Sequence, residues 1–242
     1  MREALAACRA DDRRQYRIMS FGASETHFGP HTGARPNWFY WLEQSLRLDK
    51  VHLVMLNTSQ GGNCVRDLCG RFARDCAPLT PDFVFITMGG NDANVPVPLE
   101  EFREKLTWLC RQIRAFHGIP ILQTVYTPLL HRFPSYYQEN FERYMQINRE
   151  VAAAENIPCL DMNRWFRPYY LADPDGYAAL MADNIHVNGV GNAVWAYLVA
   201  EELALPLPEF GDLSDEVKAQ LSKIRRFRDL SCRADKSAVR KI

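Results

Sequence analysis

The sequence lacks a CxxC pair, a long apolar run and any excess of charge of one sign. Each absence closes off a class of protein. The seven cysteines, Cys8, Cys64, Cys69, Cys76, Cys110, Cys159 and Cys232, are odd in number and scattered, whereas a disulfide scaffold or zinc site needs paired or closely spaced thiols. They read as buried, reduced thiols, and no metal site is expected. No stretch approaches the ~20 apolar residues of a membrane helix, so no membrane span is expected. Lysine plus arginine number 29, as do aspartate plus glutamate, and the formal net charge is zero. A nucleic-acid partner, which calls for a basic stripe along the phosphates, is therefore not expected. Leu5-Ala6-Ala7-Cys8 imitates a lipoprotein cleavage box, but Glu3 interrupts the few residues before it, and a signal needs an apolar stretch of about 7 to 15 residues. The expected location is the cytoplasm.

What is present suits a soluble enzyme or binding domain. At 242 residues with 47% hydrophobic content, the chain can enclose one sizeable core. Five short runs rich in β-branched and aromatic residues read as buried strands: Tyr16 to Phe21, Val51 to Leu56, Phe83 to Met88, Ile119 to Val125 and Ile157 to Leu160. Segments of helical period alternate with them, at Asn37 to Leu48, Cys64 to Cys76, Leu99 to His117, Tyr137 to Glu155 and Asn188 to Leu203. Alternation with right-handed crossovers predicts an α/β fold: a three-layer, flavodoxin-like, doubly wound parallel sheet of about five strands.

Pro206 and Pro208 end the last body helix. The domain is thus expected over residues 1–210, with a helical tail over 211–242. In that tail Ser214 is expected to cap a helix with an acidic first turn (Asp215, Glu216) and basic residues further on (Arg225, Arg226, Arg228), as the helix dipole favours. Its apolar stripe, Val217, Leu221, Ile224 and Phe227, can pack on the parent domain or join two copies of the chain as a homo-oligomer.

Ligands of open α/β sheets bind beyond the carboxyl ends of the strands, which directs attention to three loops. These are Gly22 to Thr26 after the first strand, Asn57 to Asn63 after the second and Gly89 to Asp92 after the third. Ester hydrolysis needs an activated hydroxyl, a base for its proton and donors for the oxyanion. Ser24 can be the hydroxyl. Gly62 can offer an unobstructed N–H, and the Asn91 amide a further donor. A base is available in Asp183-Asn184-Ile185-His186, where a carboxylate three residues before the imidazole can fix its tautomer. Taken singly, each residue also has a plain structural role: helix cap for Ser24, tight turn for the glycines, Asx-turn for Asn91 and surface loop for Asp183 to His186. His27, His31, His52, His117 and His131 have no such neighbouring pattern and read as surface or packing residues.

Together these blocks resemble those of the SGNH hydrolases, also called GDSL esterases. Phe21 to Thr26 is similar to the family's FGDSxT, and Gly62 stands at the glycine of its second block. Gly89 to Asp92 fits GxND and Asp183 to His186 fits DxxH, the matches spanning residues 18–196. The resemblance implies a serine ester hydrolase with Ser24 as nucleophile, His186 as base and Asp183 as its orienting carboxylate. It also implies an oxyanion hole from Ser24, Gly62 and Asn91, with no metal or organic cofactor.

Ala23 departs from the pattern, standing where the family usually has an Asp that is distinct from the catalytic carboxylate. This departure supports the alternative of a catalytically silent SGNH-like module that binds a glycan or a protein. Two aromatic clusters, Phe133, Tyr136 and Tyr137, and Trp165, Phe166, Tyr169, Tyr170 and Tyr177, could face a sugar or pack the loops. A short-acyl ester, with a carbohydrate O-acetyl group as the leading candidate, is the expected substrate.

Overall fold

Short runs that are mostly apolar and show no regular polar alternation belong inside a parallel sheet, where helices cover both faces. The computed structural model, which describes residues 1–11, 13–27 and 32–239, places all five runs in one parallel sheet of order β2-β1-β3-β4-β5. The strands are β1 (Tyr16–Ser20), β2 (Leu53–Asn57), β3 (Phe83–Thr87), β4 (Ile119–Thr124) and β5 (Cys159–Asp161). Central β3 is buried at every residue, while edge strand β2 leaves Val54 exposed. His31 and the tail residues 240–242 lie outside the described residues.

The helices, in chain order, are α1 (Arg2–Ala10), α2 (Trp38–Leu48), α3 (Val65–Asp75), α4 (Gly90–Asn94), α5 (Leu99–Ala115), α6 (Ser135–Ala154), α7 (Met162–Ala172), α8 (Pro174–Tyr177), α9 (Gly189–Leu203) and α10 (Ser214–Val239). One set of mutually packed helices comprises α3, α5 and α6, the other α2, α9, α10 and α7. This is the three-layer architecture the alternation predicted. Helix α9 carries apolar residues around most of its circumference and is buried along most of its length. There Trp195 stacks on Trp38 of α2, with ring centroids 4.9 Å apart.

Beyond the short helices α4 and α8, which were not expected, the structure departs from the sequence reading at α1, at α7 and at the start of α10. Helix α1 lies in the segment read only as a leader-like box, and Cys8 is buried on its inner face. Helix α7 carries Pro168 in its interior; proline usually breaks a helix, and it masks the helical spacing of Phe166, Tyr169 and Tyr170. Ser214 has helical backbone angles itself, because a 3₁₀ turn over Gly211–Leu213 already feeds α10. It is the first helical residue rather than a cap.

The α10 stripe is covered by its own chain. Val217, Leu221 and Ile224 are buried, and Phe227 stacks on Tyr169 of α7 at 5.3 Å. Arg225 pairs with Glu201 of α9 at 2.8 Å. Among the described residues no helix is long and apolar enough to cross a membrane.

Candidate active site

Strand β1 delivers Phe21 to the sheet edge, where its N–H still bonds to Phe85 of β3 at 2.9 Å. Gly22 then passes so close to β3 that a Cβ there would stand 3.0 Å from the Thr87 carbonyl oxygen. The chain turns at once, with the Thr26 and His27 N–H groups bonded to the Ala23 carbonyl. Ser24 sits in that turn and caps no helix, since α2 begins at Trp38 with Asn37 as its cap.

The imidazole comes from the loop before α9. His186 Nε2 lies 2.9 Å from Ser24 Oγ, and His186 Nδ1 lies 2.8 Å from Asp183 Oδ2. The other carboxylate oxygen, Asp183 Oδ1, accepts from the backbone N–H of Ile185 at 2.8 Å and of His186 at 2.7 Å. Asp183 thus folds its own loop and holds the ring with the same carboxylate. Partial burial pushes its carboxyl up, but the bonds from the His186 ring and the two N–H groups outweigh this and lower it. With Nδ1 as the donor to Asp183, Nε2 is left to accept from the serine.

The second loop runs alongside. Gln60 N–H bonds to the Gly22 carbonyl at 3.1 Å, and a Cβ on Gly61 would stand 3.8 Å from Ser24 Cβ. Gly62 has φ +80°, a conformation that disfavours any side chain. Asn91, in the first turn of α4, donates through Nδ2 to the Asn63 carbonyl at 3.0 Å. That bond moors it to the Gly62 loop, and the amide's second N–H can donate to a ligand.

Structure therefore brings Ser24, His186 and Asp183 into one hydrogen-bonded chain and sets the Gly62 loop and Asn91 beside it. Sequence reasoning missed one support of this arrangement, Arg71. This buried α3 side chain donates to the Gly22 carbonyl at 3.0 Å, the Thr58 carbonyl at 2.6 Å and Asn63 Oδ1 at 2.7 Å. The signal was a cation on the apolar face that Val65, Leu68 and Phe72 define.

Glu25 is also a surprise, because it turns inward. It is buried, and its Oε2 has no hydrogen-bond partner among the described residues. Burial pushes its carboxyl up, against the pull of the nearby His186. The aromatic clusters mostly pack the core: Tyr137, Phe166, Tyr169, Tyr170 and Tyr177 are buried, and Tyr136 is exposed. Most of these rings are therefore unavailable to a sugar.

A parallel five-stranded sandwich with serine, imidazole and carboxylate at its carboxyl edge defines the SGNH class of ester hydrolase. The chain belongs to the GDSL-like lipase/acylhydrolase family, whose model matches residues 20–194. It is a carboxylic ester hydrolase.

An uncharacterized lipoprotein, YqeF of Bacillus subtilis (strain 168), is 27% identical over an alignment of 176 residues that covers 60% of this chain and 69% of that protein. Among solved structures, the acetyl xylan esterase AlAXEase superposes with a TM-score of 0.66 at 20% identity, covering 77% of this chain and 98% of that one. A lipase/acylhydrolase from Enterococcus faecalis gives 0.64 at 21% identity, covering 81% and 100%. At these identities the structural likenesses speak to the fold.

Proposed function

We propose that the protein cleaves short-acyl esters, with carbohydrate O-acetyl esters foremost, through an acyl-enzyme on Ser24. The observation that carries the reading is the unbroken chain Asp183, His186, Ser24, with links of 2.8 and 2.9 Å. Ser24 Oγ attacks the ester carbonyl carbon while its proton passes to His186 Nε2. The tetrahedral oxyanion takes hydrogen bonds from the Ser24 and Gly62 N–H groups and the Asn91 amide. Collapse expels the alcohol, which leaves with the proton from His186. Water then attacks the acyl-serine carbonyl while its proton passes to His186, and as the acid leaves His186 returns that proton to Ser24 Oγ.

Ala23 does not weaken this reading, because the relay is assembled without a carboxylate at that position. The acetyl preference draws support from the likeness to an acetyl xylan esterase. A screen of acetylated sugars and chromogenic short-acyl esters tests both parts, with Ser24→Ala as the control. Turnover lost in Ser24→Ala, together with fluorophosphonate labelling at Ser24, is the expected result. No turnover on any ester favours the silent binding module, and labelling elsewhere in an active enzyme removes Ser24 from the role.

A further inference from the structure

The histidine of a proton relay must keep its ring within a fraction of an ångström of the serine, since a misplacement of about 1 Å can cost 10²-fold in rate. His186 stands on a loop, and loops wander unless their backbone is tied down. The ties fall on both peptide groups that flank it. The preceding peptide is held through the His186 N–H by Asp183 Oδ1 at 2.7 Å, and through the Ile185 carbonyl by the Tyr126 hydroxyl at 2.8 Å. The following peptide is held through the His186 carbonyl by the Ala182 N–H at 2.8 Å, and through the Val187 N–H by the same Tyr126 hydroxyl at 3.1 Å.

We infer that Tyr126 is the positioning residue for His186: one phenol, rooted in the sheet, locks the backbone on both sides of the base. This rests on the esterase reading of the site. Tyr126 lies two residues beyond the end of β4 and is fully buried. Its ring packs edge-on to Trp195 at 5.2 Å and against Phe166 at 6.0 Å. Such a ring cannot swing away, so the hydroxyl is a fixed point for the loop. The hydroxyl donates one bond and accepts the other, the pairing a phenol can satisfy at once. Burial holds its titration well above the ordinary range, so the O–H donor persists across assay conditions. Tyr126 does not touch the serine and takes no proton. It acts through the geometry of His186 alone.

The test is Tyr126→Phe, which keeps the ring and deletes the clamp. Expected is a fall in kcat of about 10- to 100-fold per fluorophosphonate-titrated site, with KM changed less than twofold. In a His186→Ala background the same change should have no further effect, because there is no base left to position. A merely structural role would lower the titratable fraction and leave kcat per titrated site unchanged. Wild-type kcat per site in Tyr126→Phe overturns the inference, as does a full additional loss on top of His186→Ala. An active His186→Ala enzyme instead overturns the proposed relay, because another group must then serve as the base, so the two failures are distinct. If Tyr126→Phe does not fold, amide exchange in the wild type decides. Protection of the Val187 N–H at the level of β3 amides supports the clamp, and exchange at open-loop rates overturns it.

Discussion

At the scale of single residues, the proposed oxyanion hole depends on groups whose surroundings give them little latitude. Gly62 is held at φ +80°, and Asn91 is moored by one of its two amide hydrogens to the Asn63 carbonyl. Removing one oxyanion donor costs about 10²–10³ in kcat in well-studied enzymes. Asn91→Ala should therefore lower kcat by about that factor with little change in KM. Steady-state kinetics on one good ester checks this, and wild-type kcat in a folded variant would take Asn91 out of the site.

Its neighbour Asp92 has a thermodynamic signature. The carboxylate is fully buried, accepting from the Val65 N–H at 2.8 Å and the Gly89 N–H at 3.2 Å. Burial nonetheless pushes its carboxyl up to about 7, and the nearby Glu25 adds to the shift. The folded state thus holds this proton more tightly than the unfolded chain, whose Asp titrates near ~3.9. Stability from this group is full below about pH 4 and is lost as pH rises through about 7. Asp92→Asn cannot titrate. The melting temperature of the wild type, relative to that of Asp92→Asn, should fall between pH 4 and 7.5, and parallel curves would refute the shift.

At the scale of elements, α10 belongs to the packed body more than its position after two prolines suggests. Leu221 is 2% exposed between α10 and the domain, whereas the Lys218 side chain is 76% exposed on the same helix. Leu221→Ala should cost about 2–5 kcal/mol, the range for a buried leucine. Lys218→Ala should stay within about 0.5 kcal/mol of the wild type. Denaturant titrations of the two variants check this. Equal, small effects would mean that the tail folds apart from the sandwich.

The five strands and six of the longer helices, α2, α3, α5, α6, α9 and α10, were legible because hydrophobic period and length suffice to read them. Helix α7 was not. Its Pro168 is tolerated because Tyr169, Phe166 and Tyr170 bury themselves against the domain, a tertiary gain that offsets the local cost. Helix α3 was found, yet the purpose of Arg71 on its inner face was hidden. A charged residue among Val65, Leu68 and Phe72 makes sense only once the Gly22 and Thr58 carbonyls arrive beside it.

At the scale of the whole molecule, the sequence by itself determined the class of fold and named the groups that the structure gathers into the candidate site. Strand and helix alternate, a parallel sheet must place the segments that follow its strands at one edge, and Ser24, Gly62, Asp183 and His186 stand in loops at or near that edge, with Asn91 in the first turn of α4 beside them. These facts are local, written in period, spacing and residue type. Tertiary structure alone decided the distances. Ser24 and His186 are 162 positions apart and meet at 2.9 Å because β1 lies inside the sheet, between β2 and β3, and α9 packs against α2. It also decided that Glu25 faces inward, that most of the aromatic clusters serve as core, and that Tyr126 and Arg71 brace the loops from behind. A residue's partners across the fold depend on which strands become neighbours, and a strand carries no record of its neighbour in its own hydrophobic pattern.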